Sequence, residues 1–148
     1  MDIVEDSLPV SLDTFLDRRL FCFLTSGTEA GPRVSPLWFL WEDGILWTIA
    51  DTEGKSYPQR VADNPETAVA VVDFDPETGL VQHVGMRGTA TLEPFEEHIA
   101  QAIVRKYLGE DPETWDPRFD REWDDRWRLV RFEPDTVVAR DQSYDAGP

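Results

Sequence analysis

Short runs of β-branched, aliphatic and aromatic residues that end in tight turns constrain the fold of this chain most. The turn Asp43-Gly44 is a strong hairpin signal, and the Asp-, Pro- and Gly-containing segment 75–79 closes another run. Strands do not alternate regularly with long helices, which disfavours a doubly wound parallel sheet. Six strands are predicted, over 21–25, 33–41, 45–49, 67–74, 80–92 and 127–138.

Three stretches have helical character. Ser11 precedes apolar residues at helical spacing and can cap a first helix. A short second helix is expected to begin near Ser56, three residues before Gln59 as in a capping box, and to end at Asn64-Pro65. The amphipathic segment 95–108 predicts a third helix. This order of elements favours a mainly β, antiparallel barrel with accessory helices.

The predicted strand 80–92 alternates in polarity. Its apolar positions, Val84 and Met86 among them, would face the core, and His83 would face the other side of the sheet. Gly85 and Gly88 predict a bulge or a close approach of another backbone or a ligand.

Acidic residues dominate the composition and restrict the partners. The 148 residues include 30 Asp and Glu against 14 Lys and Arg, a formal net charge of −16. Nucleic acids and anionic membrane surfaces require an excess of cations, so neither is an expected partner. We expect one domain over 1–148, with an acidic, irregular segment at 110–126 that its Trp and Phe side chains hold in place.

The chain start and the single cysteine favour a cytoplasmic protein. The start is acidic, without the basic residues of a signal peptide, and no apolar run reaches the roughly 20 residues that span a bilayer. Cys22 has no partner for an internal disulfide and is expected to be a buried thiol. Phosphate-loop, Rossmann, nucleophile-elbow and metal-ligand spacings are absent from the sequence, so no metal is expected.

An ordered series of motifs is more informative than any single one. Arg33-Val34-Ser35-Pro36 opens a strand before the first hairpin, Asn64-Pro65 ends the short helix, and Arg87-Gly88-Thr89-Ala90 closes a later strand. With this series the chain resembles the pyridoxamine 5′-phosphate oxidase-like family, the FMN-binding split β-barrels, from the first helix to Asp141. The resemblance implies a six-stranded antiparallel split β-barrel and a homodimer with two flavin sites at the subunit interface.

The resemblance also implies where the flavin would bind. The first hairpin would line the ring, and the turn before the short helix would hold the phosphate. One polar side chain of the strand before Arg87 would reach the ring, which makes His83 a candidate and Gln82 the alternative in a shifted register. The cofactor-binding residues implied in this way are Arg33, Val34, Ser35, Pro36, Leu37, Trp47, Thr48, Lys55, Ser56, Tyr57, Arg60, Gln82 and His83.

The residues ahead of the short helix fit a phosphate independently of the resemblance. A phosphate monoester carries about −1.5 to −2 charges and favours cations and N–H donors. Lys55 is one of only two lysines, and together with Arg60 it flanks the start of this helix in a strongly acidic chain. The resemblance implies an Arg-Lys pair at the positions that Ser56 and Tyr57 occupy in this sequence. A phosphate-binding role for Lys55 therefore requires a local shift of one or two positions in the alignment with the family.

Three functions remain open. The first is an FMN-dependent oxidoreductase acting on a small organic molecule, with His83 as the candidate acid–base residue because imidazole titrates near neutral pH. The second is a reductase of the same fold that uses the deazaflavin F420. The third is a non-catalytic flavin- or haem-binding dimer. Vitamin B6 oxidation is not expected, since the resemblance implies a C-terminal His for the substrate phosphate and no His follows His98.

Overall fold

The computed structural model describes residues 1–119 and 122–148. Within these residues the chain forms eight strands and three helices. The strands are β1 (Asp2–Asp6), β2 (Cys22–Ser26), β3 (Arg33–Leu37), β4 (Leu40–Glu42), β5 (Ile45–Asp51), β6 (Glu66–Asp75), β7 (Leu80–Glu93) and β8 (Trp127–Asp141). The helices are α1 (Leu12–Leu16), α2 (Tyr57–Asp63) and α3 (Glu97–Leu108).

All strands belong to one sheet in the order β3-β2-β6-β7-β8-β5-β4, and its pairs along this path are antiparallel. The two ends of this path, β3 and β4, are not joined to each other, and this opening is compatible with a split barrel. The mainly β, antiparallel architecture predicted from the sequence is therefore confirmed. The long strand β8 pairs with β7 and β5, and it also pairs with β1 in parallel.

The strand count differs from the six expected, for two reasons. The N-terminal segment forms β1, which has no hydrophobic alternation because all five of its residues are exposed. The expected strand 33–41 is broken at Trp38 and Phe39. Trp38 stacks on Tyr107 of α3 with ring centroids 4.7 Å apart, while Phe39 is fully buried in the core. Side chains of α3 satisfy the backbone of Phe39: Tyr107 Oη accepts from its N–H at 3.2 Å, and Lys106 Nζ donates to its carbonyl at 3.0 Å.

Two clusters of buried side chains form the core. The main cluster lies inside the curled sheet and includes Phe15, Phe39 and Phe132. A smaller cluster lies under α3 and contains Ile99, Ile103 and Leu129. Strand β5 separates the two clusters, since alternate side chains of a strand point to opposite faces.

The alternation predicted for the strand 80–92 is confirmed in β7. Val84 and Met86 are buried, whereas His83 is half-buried on the opposite face. The register with β8 shifts between Arg87 and Gly88, which is the bulge that the glycines predicted. A Cβ at Gly88 would overlap the backbone of β8 at Glu133 and Pro134, so this position requires glycine.

The first helix is capped as predicted, and the second begins close to Ser56 as predicted but lacks the expected capping box. Thr14 N–H donates to Ser11 Oγ at 3.1 Å, which is the expected N-cap. The capping box expected at Ser56 is wrong, because its backbone is already helical and its hydroxyl makes no capping hydrogen bond. Instead, Ser56 Oγ accepts from Arg60 Nη1 at 2.6 Å, and Gln59 Nε2 donates to Asp63 at 2.9 Å.

The acidic segment 110–126 is irregular apart from two single 3₁₀ turns, Pro112–Thr114 and Pro117–Phe119. Its aromatic side chains attach it to the domain: Phe119 stacks on Trp38 at 5.7 Å, and Trp123 packs on Phe95 at 5.1 Å between centroids. This agrees with the prediction for the described part of the segment; Asp120 lies outside the described residues. No helix among residues 1–119 and 122–148 is long and apolar enough to span a membrane.

Candidate functional site

A cleft of about 240 Å³ lies between β3 and the start of α2. It brings together two segments that are about 20 residues apart in the sequence and that the sequence analysis had linked to a phosphate-bearing ligand. We call it the β3–α2 cleft. Its lining residues are Arg33, Val34, Ser35, Pro36, Leu37, Lys55, Ser56, Tyr57 and Arg60.

Arg60 lies at the centre of the polar contacts of this cleft. Its guanidinium donates to three serine hydroxyls: to Ser56 Oγ at 2.6 Å, to Ser35 Oγ at 3.0 Å and to Ser26 Oγ at 3.4 Å. In the described part of the chain no carboxylate lies within ion-pair distance of it. Burial, with a smaller effect from Arg33, lowers the pKa of Arg60. The site therefore holds a cation whose charge no acid among residues 1–119 and 122–148 compensates by an ion pair.

Arg33 and Lys55 add two more cations at the mouth of the cleft. Both are exposed, and neither forms an ion pair with a carboxylate within residues 1–119 and 122–148. By contrast, Arg126 outside the cleft makes a two-pronged contact to Asp51, with both distances at 2.8 Å. In a chain with a net charge of −16, three cations without acidic partners in one cleft form a local positive site.

Tyr57 lines the cleft but is mainly a structural anchor. Its ring is buried, and its hydroxyl donates to the Ile49 carbonyl at 2.6 Å and lies 3.1 Å from Thr48 Oγ1. Burial raises the pKa of the Tyr57 phenol, so the group is a neutral hydrogen-bond donor. These contacts fix the first turn of α2 to β5 and thereby position Ser56 and Arg60.

Four residues that the resemblance implied lie outside this cleft. Thr48 is fully buried, with its hydroxyl against Tyr57. Trp47 is on the other face of β5 and packs with the cluster under α3. Gln82 points inward and accepts from Arg18 Nη1 at 2.7 Å, while His83 lies on the outer face of β7 opposite Val72 of β6. The structure thus brings together nine of the implied residues and separates these four.

Ser26 is a contact that the sequence analysis missed. It is the last residue of β2, it is almost completely buried, and it accepts from Arg60. The available signal was the alternation of β2, in which Cys22, Leu24 and Ser26 face inward. A serine at an inward position needs a hydrogen-bond partner, but the sequence does not indicate which one.

The donor set of the cleft fits a phosphate monoester. Guanidinium and ammonium groups form short, charge-assisted hydrogen bonds with phosphate oxygens, and serine hydroxyls add neutral donors. A ligand phosphate would be the negatively charged partner that Arg60 does not have among the described residues. The serine contacts already orient the guanidinium. Fold and site together define a split β-barrel protein with a basic cleft between β3 and the start of α2.

The family is established by sequence. The profile of the pyridoxamine 5′-phosphate oxidase family matches residues 8–141, so this chain belongs to that family. No curated protein sequence matches the chain.

Solved structures with the same fold are similar over nearly the whole chain. An F420 reductase is 20% identical with a TM-score of 0.64, and the match covers 88% of this chain and 98% of that one. A putative pyridoxamine 5′-phosphate oxidase from Listeria innocua is 21% identical with a TM-score of 0.61, covering 88% and 94%. An FAD-binding protein from Mesorhizobium loti is 18% identical with a TM-score of 0.65, covering 90% and 96%. At these identities the likeness shows the fold alone.

The anchoring role of Tyr57 can be tested by Tyr57→Phe. Removing the hydroxyl leaves the buried Thr48 Oγ1 without this partner, so we expect the free energy of unfolding to fall by about 1–3 kcal/mol in urea titrations. Tyr144→Phe, at a ring that is 52% exposed, is the matched control and should change stability by less than about 0.5 kcal/mol. Equal stabilities of wild type and Tyr57→Phe would show that the hydroxyl does not anchor α2.

Proposed function

We propose that this protein is a flavin-dependent oxidoreductase that binds FMN non-covalently, with the FMN phosphate in the β3–α2 cleft. The observation that carries the proposal is the unpaired Arg60 guanidinium, which is oriented by three serine hydroxyls in a chain that is otherwise strongly acidic. Membership of the pyridoxamine 5′-phosphate oxidase family supports the choice of a phosphorylated, planar cofactor.

Seven of the nine residues that line the β3–α2 cleft have a defined part in this proposal. Arg60 would bind the phosphate through its guanidinium, Lys55 and Arg33 would add charge at the mouth, and Ser35 and Ser56 would donate hydroxyl hydrogens. A bound flavin would supply hydride exchange with a small organic substrate. The exposed Val34 and Pro36 would offer an apolar edge beside the phosphate. An acid–base role for His83 stays a prediction.

The deazaflavin F420 is the second candidate cofactor, because one structure of the same fold is an F420 reductase. The tail of F420 carries several negative charges and needs a longer basic groove than FMN does. The β3–α2 cleft has three cations within about 240 Å³, which suits a single phosphate better. FMN is therefore the cofactor that we propose, and a spectrum of the isolated protein distinguishes the two.

The second part of the proposal is a homodimer that forms through the outer face of the sheet. We define the outer face by its cross-strand neighbours, which point away from the core. They are Phe23, Thr25, Ala68, Ala70, Val72, Phe74, Val81, His83, Gly85, Arg87, Thr136, Val138 and Arg140. None of these thirteen residues is acidic, but the same face continues to Glu66 and Glu133, which both pair with Thr89, and Glu5 of β1 contacts Arg140 at 2.9 Å.

The outer face also has the apolar character of an interface. Val72 and Phe74 are 44% and 54% exposed, and Ala68, Ala70 and Gly85 contribute to a shallow hollow of about 330 Å³ beside them. The centre of this face, with Val72, Phe74 and the hollow, carries no acid, so two copies can meet there without repulsion between carboxylates.

The outer face continues into the β3–α2 cleft. Val34 and Pro36 line the cleft and pair with Thr25 and Phe23 of β2, which belong to the outer face. A second copy on the outer face would therefore border the cleft and shield the apolar part of a bound flavin. Dimerisation and cofactor binding would in this way depend on one continuous surface.

We expect Arg60→Ala to weaken FMN binding by about 10- to 100-fold, because a hydrogen-bonded charge pair with the phosphate is lost. Arg60→Lys keeps the charge but not the planar fork, and we expect an intermediate affinity. Arg131→Ala is the matched control, since this arginine pairs with Glu133 at 3.0 Å outside the cleft. Flavin fluorescence titration measures all three affinities.

Three experimental results would contradict the FMN proposal or part of it. Equal FMN affinities of wild type, Arg60→Ala and Arg131→Ala would show that the FMN phosphate does not bind in the β3–α2 cleft. If the isolated protein carries F420 and does not retain FMN, the cofactor is F420 instead of FMN. A bound flavin that no panel of reductants and acceptors turns over would support a non-catalytic binding protein.

We expect the wild-type protein to run as a dimer of 17.0 kDa chains in light scattering coupled to size exclusion. The double variant Val72→Asp and Phe74→Asp places acids on the outer face and should yield monomers, because four carboxylates would meet across the interface. His98→Asp with Gln101→Asp on α3 adds the same residues outside this face and should leave the dimer intact. A monomeric wild type, or a dimeric outer-face variant, would contradict the proposed interface.

A further inference from the structure

A second basic cleft lies between the end of α1 and the last turn of α3. Its volume is about 490 Å³, and none of its lining residues takes part in the β3–α2 cleft. We call it the α1–α3 cleft. Three cations line it, Arg19, Arg105 and Lys106, and the acids Asp17 and Glu110 lie at the same cleft.

Lys106 lines the α1–α3 cleft, and two backbone carbonyls hold its ammonium in place. Its ammonium donates to the Leu16 carbonyl at 3.1 Å and to the Phe39 carbonyl at 3.0 Å, and it lies 3.7 Å from the centroid of the Phe39 ring. No carboxylate of the described residues reaches it within 4.0 Å. Burial lowers the pKa of Lys106 to about 8, and the nearby charge of Asp17 offsets part of this effect.

The two arginines keep donors available. Arg19 uses only Nε, which donates to the Lys106 carbonyl at 2.6 Å, so its two terminal nitrogens are not engaged. Arg105 forms neither a hydrogen bond nor an ion pair in the part of the chain that the structure describes. Asp17 and Glu110 do not neutralise either arginine, since neither acid forms an ion pair with them there. Three cations without acidic partners therefore share one cleft.

We propose that the α1–α3 cleft is a binding site for a small oxoanion, a phosphate or a carboxylate, held by Arg19 and Arg105, with Lys106 adding positive charge to the same cleft. Planar guanidinium groups match the geometry of both anions, and the fixed Arg19 is already oriented by its bond to the Lys106 carbonyl. Three cations against two acids leave a small local excess of positive charge. This balance suits an anion of one or two charges and disfavours a polyanionic tail.

The test is a titration of the full-length protein with inorganic phosphate and, separately, with acetate. Sodium chloride keeps the ionic strength constant, so that general screening does not contribute. Amide chemical shifts of Leu40, Ala102 and Gly109 report the α1–α3 cleft, and those of Ser35 and Ser56 report the β3–α2 cleft. We expect saturable shifts at the first set with at least one of the two anions; the anion that gives the tighter binding identifies the ligand class.

Variants separate the two clefts. Arg105→Ala removes a side chain with no contact to lose and should weaken anion binding at the α1–α3 cleft by about tenfold. Arg60→Ala should leave that affinity unchanged while it abolishes the shifts of Ser35 and Ser56 with phosphate. Shifts at Leu40, Ala102 and Gly109 that do not saturate with either anion, or equal affinities of wild type and Arg105→Ala, would overturn the proposal.

Discussion

The guanidinium of Arg60 connects the three segments that form the candidate cofactor site. Its hydrogen bonds reach Ser26 at the end of β2, Ser35 in β3 and Ser56 at the start of α2. Tyr57 fixes the same turn from the other side, through β5. Because no acid of the described chain neutralises Arg60, the cleft is organised around a positive charge rather than closed by an ion pair. This arrangement is costly for a site without a ligand and favourable for one that binds an anion.

Cations with and without acidic partners lie in different regions of the surface. Several arginines of the described chain are paired with acids, as Arg18 is with Asp73 at 3.0 Å and Arg140 is with Glu5 at 2.9 Å. Cations without acidic partners gather in the β3–α2 cleft and in the α1–α3 cleft. The centre of the outer face, in turn, is apolar, and its hollow is lined by no acid. These three regions differ from the rest of the surface in a chain with a net charge of −16. We propose FMN as the ligand of the β3–α2 cleft, a small oxoanion as that of the α1–α3 cleft and a second copy of the chain as the partner of the outer face.

Local signals predicted much of the fold. The Asp43-Gly44 hairpin, the alternation of β7 and the bulge at Gly88 depend on neighbouring residues and on one cross-strand contact, which sequence patterns record. The parallel pairing of β1 depends on β8, at the other end of the sequence. The break at Trp38 and Phe39 depends on Tyr107 of α3, which is 68 residues from Phe39 in the sequence. Similarly, the order of motifs predicted that Lys55, Arg60 and Ser35 serve one ligand, whereas no local pattern encodes the hydrogen bonds of Thr48 to Tyr57 and of Gln82 to Arg18.

The ratio of the affinities for FMN and riboflavin tests the central claim most directly. The two molecules share the ring and the ribityl chain and differ only in the phosphate, so the ratio isolates the contribution of the β3–α2 cleft. If Arg60 and its neighbours hold the phosphate, wild-type protein binds FMN more tightly than riboflavin by on the order of 100-fold, and the ratio falls toward one in Arg60→Ala. Equal affinities of the wild-type protein for FMN and riboflavin would contradict the account.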